Sequence, residues 1–142
     1  MLFGNDRTSL RRFYVEAWRK LCAGEPLEPL QQQVAEVVRQ HPEYHAMLEG
    51  DDALLERDFT PEQGQSNPFL HMGMHLAIHE QLATQRPAGV VELYQALLGK
   101  FGDAHAVEHH MMECLGEMLW QAQRDATMPQ EQVYLDCLRR LK

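Results

Sequence analysis

Cysteine is scarce in this sequence. Cys22, Cys114 and Cys137 are odd in number, far apart, and include no Cys-x-x-Cys pair. That pattern argues against a disulfide framework and against a thiolate zinc site, and predicts reduced, partly buried thiols. Serine occurs only at Ser9 and Ser66, neither within a Gly-x-Ser-x-Gly turn, which excludes a nucleophile elbow. No apolar run reaches the length of a membrane span. The opening MLFGNDRTSLRRF turns charged by Asp6 and lacks the apolar centre and small-residue cleavage site of a signal peptide, so a cytoplasmic location is expected. Cations are outnumbered, 13 Lys and Arg against 21 Asp and Glu, and a net charge of −8 disfavours a phosphate backbone as partner. The expectation is therefore no nucleic-acid and no membrane partner, with self-association left open and no protein partner specified.

What the chain does have is helical punctuation. Its 142 residues fit one domain, 1–142, with enough apolar content at 44% to bury a core without covalent or metallic help. Asn5 or Asp6 can cap a first helix whose Leu10, Phe13, Tyr14, Ala17, Trp18 and Leu21 follow helical spacing until Gly24. The cations near it, Arg7, Arg11, Arg12, Arg19 and Lys20, are expected on its solvent face. Pro29 suits the first turn of a second helix running toward His41, and Pro42 opens a short third one that Gly50 ends. One or two turns are expected between Asp51 and Asp58, then a loop over Phe59–Asn67. Asn67-Pro68 starts a fourth helix, limited by Pro87. A fifth runs from Pro87 or Ala88 to Gly102, a sixth from Asp103 to about Arg124, and a last one begins near Pro129. Period-two alternation is absent, so the fold expected is all-α, a compact helical bundle of about six helices.

Two stripes of histidine stand out against this background. His71, His75 and His79 lie four residues apart on the fourth helix, and His105, His109 and Glu113 repeat that spacing on the sixth. Steps of four drift only about 40° around an α-helix, so each trio lines one side of its rod. The first stripe falls within an apolar arc, flanked by Ile78 and Leu82 on one side and Met72 and Leu76 on the other. A core-facing imidazole must satisfy both ring nitrogens, and a metal with its surrounding hydrogen bonds does this for several rings together. The second stripe lies nearly opposite the stronger apolar arc of Val107, Met111, Cys114, Leu115 and Met118. Gly116 and Trp120 on that side could seat another helix, and a solvated polar face is the other reading. His110, near Cys114 and Glu117, offers a different ligand set.

Helical bundles build metal sites from inward side chains of facing helices. The metal ligands expected here are His71, His75, His79, His105, His109 and Glu113, for a transition metal ion. Zinc, iron, nickel and manganese all accept such donors. Met72, Met74, Met111, Met112 and Met118 raise copper(I), although methionines at helical spacing also serve as core filler. Glu108 or Glu113 could act as general base beside a metal-bound water. Named catalytic motifs fail: His79-Glu80 is followed by Ala83 where a zinc-protease motif needs histidine, and Tyr94 occupies the first glycine of a phosphate loop ending at Gly99-Lys100. Two functions follow: a transition-metal-binding bundle able to serve as a metal-dependent enzyme, or a non-catalytic interaction or assembly protein with a hydrogen-bonded histidine network.

The run Asn67–Glu80, Arg86-Pro87-Ala88-Gly89, Glu108-His109, Met112-Glu113 and Leu119–Arg124 resembles a small bacterial family known as a domain of unknown function, number eighteen forty-one. Arg11-Arg12-Phe13-Tyr14 and His41-Pro42-Glu43-Tyr44-His45 extend the resemblance over nearly the whole chain. It implies a bacterial origin and carries no established activity. Histidines on bundle helices are also broadly similar to DinB-like and haemerythrin-like metal bundles, whose full ligand spacing is not reproduced here.

Overall fold

The structure is a computed structural model that describes residues 7–50, 55, 57, 59 and 67–142. The expected cap at Asn5 or Asp6, most of the Asp51–Asp58 turns and most of the Phe59–Asn67 loop lie outside those residues. Among the described residues there are seven α-helices, one 3-10 turn and no strand, so the fold is all-α. The chain divides into two compact units, Met1–Leu76 and Ala77–Lys142, with the boundary inside a helix.

In the first unit, α1 (Arg7–Ala23) buries Tyr14, Ala17 and Trp18 on one face, as its apolar spacing predicts. Gly24 ends it at φ +71, where a glycine accepts the left-handed turn without strain, and the Glu25 amide donates to the Lys20 carbonyl at 2.9 Å. α2 (Pro29–Arg39) begins with proline at its first position, where no amide hydrogen is required, while the Gln31 side chain accepts from the Glu28 amide at 2.9 Å. Val34, Ala35, Val37 and Val38 of α2 join Tyr14, Ala17 and Trp18 in one core, to which Leu48, Phe69 and Met72 also belong. A 3-10 turn (Pro42–Tyr44) runs into α3 (His45–Leu48). One of the expected surface cations is not on the surface. Arg11 is 4% exposed, donates to the Leu55 and Arg57 carbonyls, and holds its guanidinium over the Phe59 and Phe69 rings. An arginine stem packs like a hydrocarbon and its planar head stacks on rings, which charge counting along a helix does not register.

The helix that carries the first histidine stripe, α4 (Pro68–Thr84), starts as the sequence predicts. Asn67 Oδ1 accepts from the Phe69 and Leu70 amides at 3.0 and 3.3 Å. Its buried residues include Phe69, Met72, His75 and Ile78, so His75 lies on the helix between two buried apolar positions, Met72 and Ile78.

In the second unit, α5 (Val90–Phe101) starts two or three residues later than expected, because Pro87 to Gly89 form a turn with Gly89 left-handed at φ +91. α6 (Ala104–Asp125) is capped by Asp103, whose Oδ2 accepts from the Ala106 amide at 3.0 Å. α7 (Glu131–Leu141) closes the chain. The apolar arc of α6 is buried as predicted at Val107, Met111, Cys114 and Leu115. Gly116 has open space where a side chain would stand and Trp120 is 59% exposed, so no helix is seated over them among the described residues.

The cysteines correct one expectation. Cys114 and Cys137 are joined in a disulfide between α6 and α7, with Cα atoms 5.6 Å apart, and only Cys22 is a free, exposed thiol. Spacing along the chain conceals the pair because the bond joins two separate helices, whose packing decides which thiols meet.

Candidate metal centre

Three imidazoles gather in the first unit. His41 follows Gln40, the C-cap of α2, its amide bonds back to the Val38 carbonyl at 2.9 Å, and the ring is 2% exposed. Its centroid lies 5.0 Å from that of His71 and 4.7 Å from that of His75, and the latter two are 4.9 Å apart, so the three rings form a tight triangle. Tyr44 stacks on His41 at 5.5 Å and stands edge to face with His71 at 6.2 Å.

The hydrogen bonds fix one tautomer. Nδ1 of His41 lies 2.7 Å from the Val37 carbonyl. A carbonyl only accepts, so Nδ1 carries the proton and Nε2 carries the lone pair, the form in which imidazole ligates a metal. Nε2 of His75 and Nε2 of His71 are 3.3 Å apart. That separation is longer than a usual N–H···acceptor distance, about 2.9–3.0 Å. It is close to the edge of a tetrahedron around zinc, roughly 3.3–3.4 Å for zinc–nitrogen bonds of about 2.0–2.1 Å. His75 is fully buried and His71 half-buried. The cluster therefore has the donor type and spacing to hold a metal ion.

His45 belongs to the scaffold. Its Nε2 donates to the Val38 carbonyl at 2.7 Å and its ring stacks on Trp18 at 4.2 Å, while the Trp18 indole donates to Glu49 at 3.2 Å.

In the second unit the His105 and His109 rings stand edge to face with centroids 4.4 Å apart, on the first turns of α6. His79 behaves differently from its neighbours in the stripe. Its Nε2 meets Oε1 of Glu108 at 2.9 Å, and Glu108 is 6% exposed. A carboxylate bonded to one imidazole nitrogen sets that ring's tautomer and leaves the other nitrogen as the donor. Tyr94, whose phenol is pushed up by burial, also feels Glu108 and Asp103. Glu113 is exposed, and the carboxylate that engages a histidine in this unit is Glu108.

Of the six ligands expected from sequence, His71 and His75 are brought together, His105 and His109 are brought together, His79 is tied to Glu108, and Glu113 lies exposed. Sequence reasoning missed His41, reading His41-Pro42 only as a helix stop. Its one outward signal was a histidine three and four residues after the apolar pair Val38 and Val37, a spacing that continues the buried face of α2 past its end.

Fold and donors together describe an all-α protein with imidazole clusters on and beside its helices, a donor type that metal ions accept. The chain belongs to the family described as Domain of unknown function (DUF1841), which matches residues 6–140. No curated protein and no solved structure matches it. No helix among the described residues is long and apolar enough to cross a membrane.

Proposed function

We propose that this protein binds a transition metal ion through neutral imidazoles, with His41 and His75 of the first unit as its principal donors. His71, whose Nε2 faces His75, is a further donor. The observation that carries the reading is the burial of His75 and His41 among other imidazoles, with the His41 proton held on Nδ1 by the Val37 carbonyl. Burying several imidazoles is costly unless each nitrogen is satisfied, and a cation bound through lone pairs satisfies several at once. An all-nitrogen set suits zinc, iron, nickel or manganese, and the metal can be bound without a catalytic role. As an enzyme the protein would draw its acid–base group from Glu108, which already shares a hydrogen bond with His79.

A second reading has its own support. Main-chain carbonyls hold His41 and His45, and Glu108 holds His79, as in a structural hydrogen-bond network within a non-catalytic interaction protein. Elemental analysis of purified protein separates the two, repeated on His41→Ala and His75→Ala. Stoichiometric metal that is lost in both variants supports the proposal. Protein that folds, yet stays metal-free after dialysis against zinc, iron, nickel and manganese, overturns it and leaves the network.

A further inference from the structure

The disulfide lies outside the imidazole set. We infer that Cys114 and Cys137, once reduced, form a separate thiolate metal site in the second unit, for zinc or copper(I), with His110 as third donor. Reduction releases the two sulfurs from each other toward the separation that a shared metal requires, roughly 3.8 Å for a tetrahedral ion with metal–sulfur bonds of about 2.3 Å. Side-chain rotation about the existing backbone, with Cα atoms 5.6 Å apart, supplies the rest.

Three ties that do not involve sulfur hold α7 in place when the bond opens. Arg140 pairs with Glu117 of α6 at 2.9 Å, the buried Tyr134 hydroxyl donates to Gln81 at 2.7 Å, and Lys100 of α5 donates to the Leu141 carbonyl at 2.6 Å. Cys137 consequently stays beside Cys114. Burial does the selecting: Cys114 is 1% exposed, where a bare thiolate is disfavoured and a thiolate neutralised by a cation is not. His110 precedes Cys114 by four residues on the same side of α6, and its half-buried ring is stacked on Phe101 at 4.3 Å. Two sulfurs and one nitrogen leave a fourth position for solvent. Soft sulfur donors prefer copper(I) and zinc, so this site differs in metal preference from an all-imidazole one.

The chemistry balances with an external reductant. A water-soluble phosphine gives two electrons to the sulfur–sulfur bond and leaves as its oxide, with oxygen from water, yielding two thiols. Metal binding then releases both thiol protons. The disulfide form has no sulfur lone pair of thiolate strength, so the site exists only in reduced protein.

Cobalt(II) is the probe. Phosphine-reduced protein, kept anaerobic and checked for helix content by circular dichroism, is titrated beside oxidised protein while the sulfur-to-cobalt charge-transfer band is followed. The expected result is one saturating equivalent with that band in the reduced form and none in the oxidised form. The band should disappear in Cys114→Ser and Cys137→Ser, persist in Cys22→Ser, His75→Ala and His109→Ala, and need at least tenfold more cobalt in His110→Ala. Reduced, folded wild-type protein with three titratable thiols and no such band overturns the inference, as does a band that depends on Cys22. Cobalt on imidazoles alone lacks sulfur charge transfer and binds irrespective of thiol state, so this result is independent of the imidazole proposal.

Discussion

Opening the Cys114–Cys137 bond removes a constraint whose size follows from the loop it closes. The two residues are 23 apart in sequence. In the chain-entropy treatment a loop of that length restricts the unfolded chain by about 3 kcal/mol, which is lost when the sulfurs separate. At roughly 4 °C per kcal/mol for a chain of this length, the melting temperature should fall by about 12 °C on reduction. The measurement is thermal and urea unfolding of one preparation, with and without phosphine, followed by far-ultraviolet circular dichroism. A thiol count under denaturing, non-reducing conditions should find only Cys22 before reduction and all three cysteines after it. Superimposable melts would refute the loop argument. Three free thiols in protein that has never met a reductant would refute the pairing itself.

Two further outcomes follow from single residues. Burial pushes the Tyr14 phenol up to about 12 and raises Tyr134 in the same direction. The folded state thus keeps protons that the unfolded state gives up above pH 10, so their contribution is intact below pH 10 and disappears as pH rises through the folded values. For Tyr14 this is about 2–3 kcal/mol, expected as a fall in the urea midpoint between pH 10 and 12 that Tyr14→Phe reduces. Asp103→Ala removes the side chain that caps α6 and should cost about 1 kcal/mol in urea unfolding, with Asp103→Asn restoring most of it.

The helices were legible because their signals are local. Asn67 and Asp103 accept the first amides of α4 and α6, and Gly24 and Gly102 turn the chain out of α1 and α5, all within a few residues of sequence. Apolar spacing likewise identified the buried arc of α6. Pairings across helices were the part that spacing could not supply. Arg11 looks like any other surface cation until Leu55, Arg57 and Phe69 are brought over it, and Cys114 looks like core filler until Cys137 arrives beside it. The histidine stripes were half legible. Period four placed His71 beside His75 and His105 beside His109, since a helix alone dictates that, whereas His41 joins the first group only through the turn that follows α2.

His75 offers a way to tell a ligand from a scaffold residue, because the ring's volume and its nitrogens can be removed separately. It is 0% exposed. His75→Ala deletes both and leaves a cavity, at a cost of about 2–5 kcal/mol by analogy with other large-to-small core changes. His75→Leu keeps most of the volume and removes only the nitrogens, for which roughly 1.5 kcal/mol or less is expected in metal-free protein. If the imidazole were retained for hydrogen bonding, leucine would instead leave its neighbours short of a partner and approach the alanine penalty. Added metal supplies the second axis. Wild type should gain about 2.7 kcal/mol at one hundred times the dissociation constant, by mass action on the folded state, while neither variant gains it. A leucine variant that is stabilised by metal as strongly as wild type would remove His75 from the ligand set, whatever its stability without metal.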